Sequence, residues 1–159
     1  MTALLRKKLE RADELHARST ELADQAIALG FQGQQSESRR RLEEAFELER
    51  DAADLLRGTD IPALSRAVYH RSAASLAMRV RDWDEATRLI EQGLSGNPPH
   101  SIAAELKELR PVIAAQRRDA RPVENSVPML PPYEVERVTI YARAFVTNTS
   151  DSYPQPRPA

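Results

Sequence analysis

The sequence predicts an all-α fold of about five antiparallel helices, followed by an extended, strand-like C-terminal segment. Three observations support this fold. Apolar residues recur at intervals of three and four through residues 1–118, as expected for helices with one buried face. The chain has only five glycines, and glycine and proline fall between the periodic stretches. Beyond residue 134 the apolar residues alternate instead, which is typical of a strand.

The first predicted helix runs from about Thr2 to Leu29. Apolar residues, with one serine among them, recur along one face of this helix, and Leu5 lies one heptad earlier: Ala12, Leu15, Ser19, Leu22, Ala26 and Leu29. A glycine and glutamine loop follows, and Ser36 or Ser38 is expected to cap a second helix that ends at Gly58. The second helix has its own stripe: Leu42, Ala45, Phe46, Leu48, Ala52, Leu55 and Leu56. The two helices therefore predict a hairpin with a buried interface.

Clear helix-start signals precede the third and fourth helices. Thr59 or Asp60 is the expected N-cap of the third helix, with Pro62 in its first turn, and this helix runs to about Arg79. Asp82 is the expected N-cap of the fourth helix, and Glu85 is placed to reach back to it as in a capping box. The apolar face of the fourth helix consists of Leu89, Ile90 and Leu94.

A fifth helix is predicted from His100 or Ser101 onward. One side is apolar (Ile102, Leu106, Leu109 and Ile113) and the other is charged. A stack of helical hairpins needs such a terminal helix, with one polar face, to close its core. Pro111 is expected to kink this helix or restart it, because proline lacks a backbone N–H.

The third and fourth helices resemble one tetratricopeptide (TPR) repeat. The matching residues are Ala74, Ala77, Trp83, Ala86, Gly93 and Pro98, and the departures are His70, Ala73 and Arg81. The first hairpin is a degenerate second copy, matching at Ala26, Leu29, Gly33, Ser38 and Ala45. The resemblance implies a short right-handed stack of hairpins, TPR-like in form, covering residues 1–118. It also implies a scaffold for protein interactions.

In TPR proteins the first helix of each repeat lines the groove that binds a partner. Carried onto this chain, the resemblance nominates five contact residues: Val68, Arg71, Ser75, Met78 and Arg79. Two guanidinium groups on either side of a serine suit an acidic segment or a C-terminal carboxylate. The alternative is that both arginines form ion pairs with acidic residues of the second helix.

The C-terminal part of the chain changes in composition. Residues 119–134 are predicted to be a proline-rich linker, residues 135–147 a strand, and residues 148–159 a disordered tail. A lone strand must pair with a second copy or with a partner's sheet, unless it packs on the helices. The expected strand-mediated contacts are Val138, Ile140, Tyr141 and Phe145.

Composition and motifs argue against an enzyme. The chain has no cysteine, which excludes disulfides and cysteine-based zinc sites. The histidines (His16, His70 and His100) are far apart, and there is no phosphate-binding loop, so neither a metal nor a cofactor is predicted. His70 shares the alanine stripe of the third helix, which predicts a packing role.

Charge and hydropathy limit the cellular locations and binding partners expected for the protein. A net charge of −1 provides no basic field for nucleic acid, and the Arg39 to Arg41 run predicts ion pairs within its own helix. The sequence contains neither a membrane-length apolar run nor a signal-like N-terminal stretch, which predicts a cytoplasmic protein without a membrane partner. The excess of arginine over lysine suits a GC-rich bacterial genome.

The leading functional hypothesis is a non-enzymatic adaptor that binds another protein through its TPR-like groove, its C-terminal tail, or both. A second hypothesis is a structural subunit that assembles with itself through the first helix or the terminal strand. A third rests on the first three helices, which are also similar to a microtubule-interacting-and-transport bundle and would then form a docking module.

Overall fold

The computed structural model describes residues 2–119, which form an all-helical structure. The five helices are α1 (Ala3–Phe31), α2 (Gln35–Leu56), α3 (Ala63–Arg79), α4 (Trp83–Ser95) and α5 (His100–Asp119). The predicted all-α class and the five predicted helices are confirmed for this part of the chain. The predicted linker, strand and tail lie outside the described residues, apart from Asp119, which ends α5. None of the described helices has the length and apolarity that crossing a membrane requires.

Each helix packs against the next one along the chain, and α5 also packs against α3. Contact with α2, α4 and α5 makes α3 the central helix, with ten of its seventeen residues buried. Its sequence suits that position, because alanine and serine occupy many of its faces and allow neighbouring helices to approach. The core of the described region therefore surrounds α3.

The interface between α1 and α2 follows the predicted stripes. Ala12, Leu15, Ser19, Leu22 and Ala26 are the buried residues of α1. Two serines at stripe positions are satisfied across the interface: the Ser19 hydroxyl donates to the Ala45 carbonyl at 2.8 Å, and the Ser38 hydroxyl donates to the Ala26 carbonyl at 2.6 Å. A small side chain with a local acceptor allows close helix packing without leaving a buried polar group unpaired.

Glycine ends the turns after α1 and α2, because both turns need a left-handed residue. Gly33 has φ of 76° and Gly58 has φ of 67°, values that cost glycine little. The predicted cap of α2 is wrong: Gln34 is the N-cap and makes no side-chain cap bond. Ser38 cannot cap α2 because it lies one turn inside the helix, where its N–H donates to the Gln34 carbonyl at 2.9 Å.

The predicted cap of α3 is also wrong by two or three residues. The N-cap is Pro62, and the Thr59 hydroxyl donates instead to the Leu56 carbonyl at 2.7 Å, closing the end of α2. Arg66 holds the same loop by donating to the carbonyls of Thr59 and Ile61, each at 2.6 Å. The loop between α2 and α3 is therefore held by the Thr59 hydroxyl and the Arg66 guanidinium.

The turn between α3 and α4 places a non-glycine residue in the left-handed region. Arg81, which stands where TPR repeats commonly have glycine, has φ of 66°. Its N–H donates to the Met78 carbonyl at 3.1 Å, and the Asp82 N–H donates to the Ala77 carbonyl at 2.9 Å. This pair of bonds is a Schellman-type helix end, in which glycine is the preferred left-handed residue.

Replacing Arg81 by glycine is expected to raise the free energy of unfolding by about 0.5 to 1 kcal/mol. Left-handed backbone costs a residue with a side chain roughly 1–2 kcal/mol, of which glycine's greater unfolded-state entropy offsets about half. Urea denaturation followed by circular dichroism measures the change. Arg57→Gly is the matched control, because Arg57 has an ordinary φ of −62° and should only lose stability. A loss of stability in both variants would contradict the interpretation.

The start of α4 confirms one half of its predicted capping box. The Asp82 carboxylate accepts from the Glu85 N–H at 3.1 Å. Glu85 does not reach back, because its carboxylate binds the Arg88 guanidinium and the Asp82 N–H is already used in the preceding turn. The Glu85 carboxylate therefore binds the Arg88 guanidinium and not the backbone N–H of Asp82.

Two further expectations concern α2 and α5. Arg39, Arg40 and Arg41 each form ion pairs with glutamates three or four residues away on α2, which confirms the predicted pairing within the helix. α5 runs through Pro111 as one helix, so the predicted restart does not occur. The proline is exposed, and the apolar residues on either side of it still share one buried face.

Candidate interaction face

One line of α3 residues reaches solvent, whereas ten of the seventeen residues of the helix are buried. This line, here called the α3 stripe, consists of Leu64, Val68, Arg71, Ser75 and Arg79. Their spacing of three and four residues places them on one face of the helix. Four of the five predicted contact residues therefore lie on the face of α3 that a partner can reach.

The N-terminal end of the stripe is apolar. Leu64 is 42% exposed and Val68 is half-buried against the core. The sequence analysis did not select Leu64, although it lies one turn before Val68 in the same register. An exposed leucine next to a half-buried valine offers a partner apolar area to cover.

Arg71 lies in the middle of the stripe and is already paired. Its Nε lies 2.9 Å from a carboxylate oxygen of Glu105 on α5, and only 13% of its side chain is exposed. The Ser75 hydroxyl donates to the Arg71 carbonyl at 3.0 Å, within α3. Arg71 therefore joins α3 to α5, and its partner is not an acidic residue of α2.

Arg79 ends the stripe and, like Arg71, has a buried Nε that makes no hydrogen bond among the described residues. It differs from Arg71 in its neighbouring charges, because Arg71 has Glu105 close by. Burial lowers the pKa of Arg79, and the charge of Asp24 on α1 partly offsets that effect. Within residues 2–119 no carboxylate lies within 4.0 Å of its guanidinium. Arg79 thus carries a charge that the described structure leaves without a direct partner.

Met78 lies away from this surface. It is 4% exposed and belongs to the core, so its predicted role as a contact residue does not fit its position. Its place around the helix is next to Arg71, whose guanidinium meets Glu105 of α5. Spacing on one helix cannot reveal which of its edges a later helix covers.

The first helix forms the other side of this face. Both α1 and α3 pack on α2, and they meet each other through side chains rather than closely packed backbones. The Tyr69 hydroxyl donates to Asp13, and the rings of His16 and Tyr69 meet edge to face with centroids 5.5 Å apart. We call the set of Asp13, His16, Glu49 and Tyr69 the polar network.

Sequence analysis missed the polar network, although one signal for it exists. Glu49 falls on the apolar stripe of α2, midway between Ala45 and Ala52 or Ala53, and it is 1% exposed. A carboxylate at a buried stripe position needs a hydrogen-bonding partner. His16 provides it, with Nδ1 lying 2.8 Å and 2.9 Å from the two carboxylate oxygens.

No family model, curated protein or solved structure matches this chain. The described residues also contain no group of three or more histidine, cysteine, aspartate or glutamate side chains placed to hold a metal ion. The predicted strand contacts, Val138, Ile140, Tyr141 and Phe145, lie outside the described residues. The α3 stripe and the polar network are therefore the features from which function is argued.

Proposed function

We propose that this protein is a non-enzymatic adaptor that binds a segment of another protein along the α3 stripe. The observation that carries the proposal is the stripe itself, a mixed apolar and cationic line on a helix of which ten residues are buried. A helix covered on its remaining faces is held rigidly, and rigid elements present binding side chains without a large ordering cost.

The chemistry of the stripe indicates what the partner segment needs. Leu64 and Val68 favour apolar side chains, whereas Arg79 favours an acidic group because its charge has no direct partner. The rise of 1.5 Å per residue places Val68 about 16 Å from Arg79. A segment with apolar residues at one end and a carboxylate at the other would match both ends of the stripe.

The order of helix packing supports a TPR-like interpretation of the face. Two consecutive helix pairs, α1 with α2 and α3 with α4, are followed by α5, and each helix packs on its neighbour. In a stack of TPR-like hairpins, α1, α3 and α5 would line one groove. The small residues expected at the α3 and α4 contact, Ala74, Ala77, Ala86 and Gly93, are all buried.

Capture of a partner from a native lysate, followed by mass spectrometry, tests the proposal. The full-length double variant Leu64→Asp with Arg79→Gln is expected to lose a partner that the wild-type protein captures, and glutamine removes the charge without placing a carboxylate beside Asp24. Arg71 is left unchanged because Arg71→Glu would face Glu105 and disturb the contact between α3 and α5. The matched control is Phe31→Asp with Arg39→Gln, since Phe31 is 69% exposed and the Arg39 side chain 58% exposed, both outside the stripe.

Each outcome of the capture experiment has a clear consequence. Loss of the partner in the stripe variant alone supports the adaptor and locates its surface. Equal capture by both variants counts against the stripe, and loss only after deletion of residues 135–159 would move the contact to that segment. Recovery of nothing but the protein itself would instead favour self-assembly, for which the first helix offers Leu4 with 68% of its surface exposed.

A further inference from the structure

The polar network joins three helices through charged and neutral groups. His16 on α1 contacts Glu49 on α2, and the Tyr69 hydroxyl on α3 donates to Asp13 on α1. The exposed fractions of the His16 and Glu49 side chains are 12% and 2%. An ion pair this far from water gains strength from the low local dielectric, but each of its charges is costly when left alone.

The protonation state of His16 determines whether the negative charge of Glu49 is neutralised. A carboxylate can only accept hydrogen bonds, so Nδ1 of His16 carries a proton and donates to Glu49 in either charge state. The titrating proton is therefore the one on Nε2. Its loss keeps the hydrogen bond but removes the positive charge.

The charged groups that act on His16 are both carboxylates. Burial by itself lowers the pKa of His16, but the hydrogen bond to Glu49 and the charges of Glu49 and Asp13 outweigh burial, so the pKa is raised above 6.5. Tyr69, the group facing His16 from α3, stays neutral because burial and its bond to Asp13 raise the pKa of its phenol. Loss of the Nε2 proton thus leaves two neighbouring carboxylates without a cation.

We propose that His16 is a proton-dependent clasp that holds α1 against α2, beside the Tyr69 ring of α3. When the imidazole is protonated, it neutralises Glu49 at the place where the three helices meet. When it is neutral, the buried Glu49 charge and the nearby Asp13 charge repel each other, and the hairpin is held less firmly. This inference concerns the folded protein itself and does not depend on the proposed adaptor function.

The clasp predicts how stability depends on pH. Because the pKa of His16 is raised in the folded protein, its stabilising contribution is complete below about pH 6.5 and is lost as the pH rises through the folded-state pKa. The urea midpoint of the full-length wild-type protein is therefore expected to fall as the pH rises from about 6.5 through the folded-state pKa of His16. His16→Gln, which keeps a neutral donor for Glu49, is expected to lack that fall.

Titration of His16 by nuclear magnetic resonance is the direct test, with the resonance assigned from the His16→Gln spectrum. The wild-type pKa should lie above 6.5, and Glu49→Gln should move it below 6.5 because burial then dominates over the remaining charge of Asp13. Tyr69→Phe is the control: it keeps the ring contact and Glu49, so the pKa should stay above 6.5.

Two results would overturn the clasp. The first is a His16 resonance that titrates at or below 6.5 in the wild type, or that does not move in Glu49→Gln. The second is a His16→Gln stability curve that runs parallel to the wild-type curve as the pH rises. The NMR titration and the urea denaturation are independent measurements. If a variant is too unstable for one of them, the other still tests the clasp.

Discussion

Replacing Gly93 by valine is expected to lower the free energy of unfolding by about 2 to 3 kcal/mol, the upper part of the range typical of an overpacked core. Gly93 lies in α4 where it meets both α3 and α5. A Cβ at this position would lie 2.9 Å from a terminal methyl of Leu106 and 3.1 Å from Cβ of His70. The Leu106 methyl can rotate away, but Cβ of His70 is attached to the α3 backbone and can move only with the helix.

Urea denaturation of a graded series tests this expectation. Gly93→Ala should cost less than valine, because alanine adds one methyl group and gains about 1 kcal/mol of helix propensity. Ser95→Val, on the exposed side of the same helix, is the control and should stay within about 0.5 kcal/mol of the wild type. A Gly93→Val protein as stable as the wild type would show that α4 does not approach α3 and α5 this closely.

Acidification from about pH 6.5 to about pH 4 is expected to cost the folded protein about 3 kcal/mol through His70 alone. His70 is 2% exposed, and burial, together with the charges of Arg88, Arg57 and Arg66, lowers its pKa to about 4 against the opposing charge of Asp54. A folded-state pKa below the unfolded value means that the stabilisation is present above pH 6.5 and is lost as the pH falls. One pKa unit corresponds to about 1.4 kcal/mol.

His70→Leu isolates this contribution. Leucine removes the titrating ring, whose Nδ1 has no hydrogen-bond partner among the described residues, so the substitution breaks no bond that the structure records. The difference in unfolding free energy between wild type and variant should therefore change by about 3 kcal/mol over this interval. Carboxylates and His16 titrate in both proteins and cancel in the difference. A difference that does not change with pH would mean that His70 is not held neutral.

Local patterns were sufficient for the helices and for much of the candidate site. The stripe of α1 and the glycines after α1 and α2 depend on short stretches of chain, and these match the structure. The spacing of Val68, Arg71, Ser75 and Arg79 likewise placed them on one face before any tertiary contact was considered. The caps of α2 and α3 were predicted less well, because Ser38 lies one turn inside α2 and Thr59 lies before the first turn of α3, where its hydroxyl closes the end of α2.

Periodicity and backbone preference were sufficient to predict the helical class of residues 2–119, the helix boundaries to within two or three residues, and the small residues at which α3 and α4 meet. The pairing of charges and the exposure of individual residues followed from the packing of the helices instead. Arg71 binds Glu105 across thirty-four positions, Met78 is buried in the core, and Glu49 meets His16 from another helix. Burial and ion pairing depend on distances in space, which periodicity along one helix does not specify.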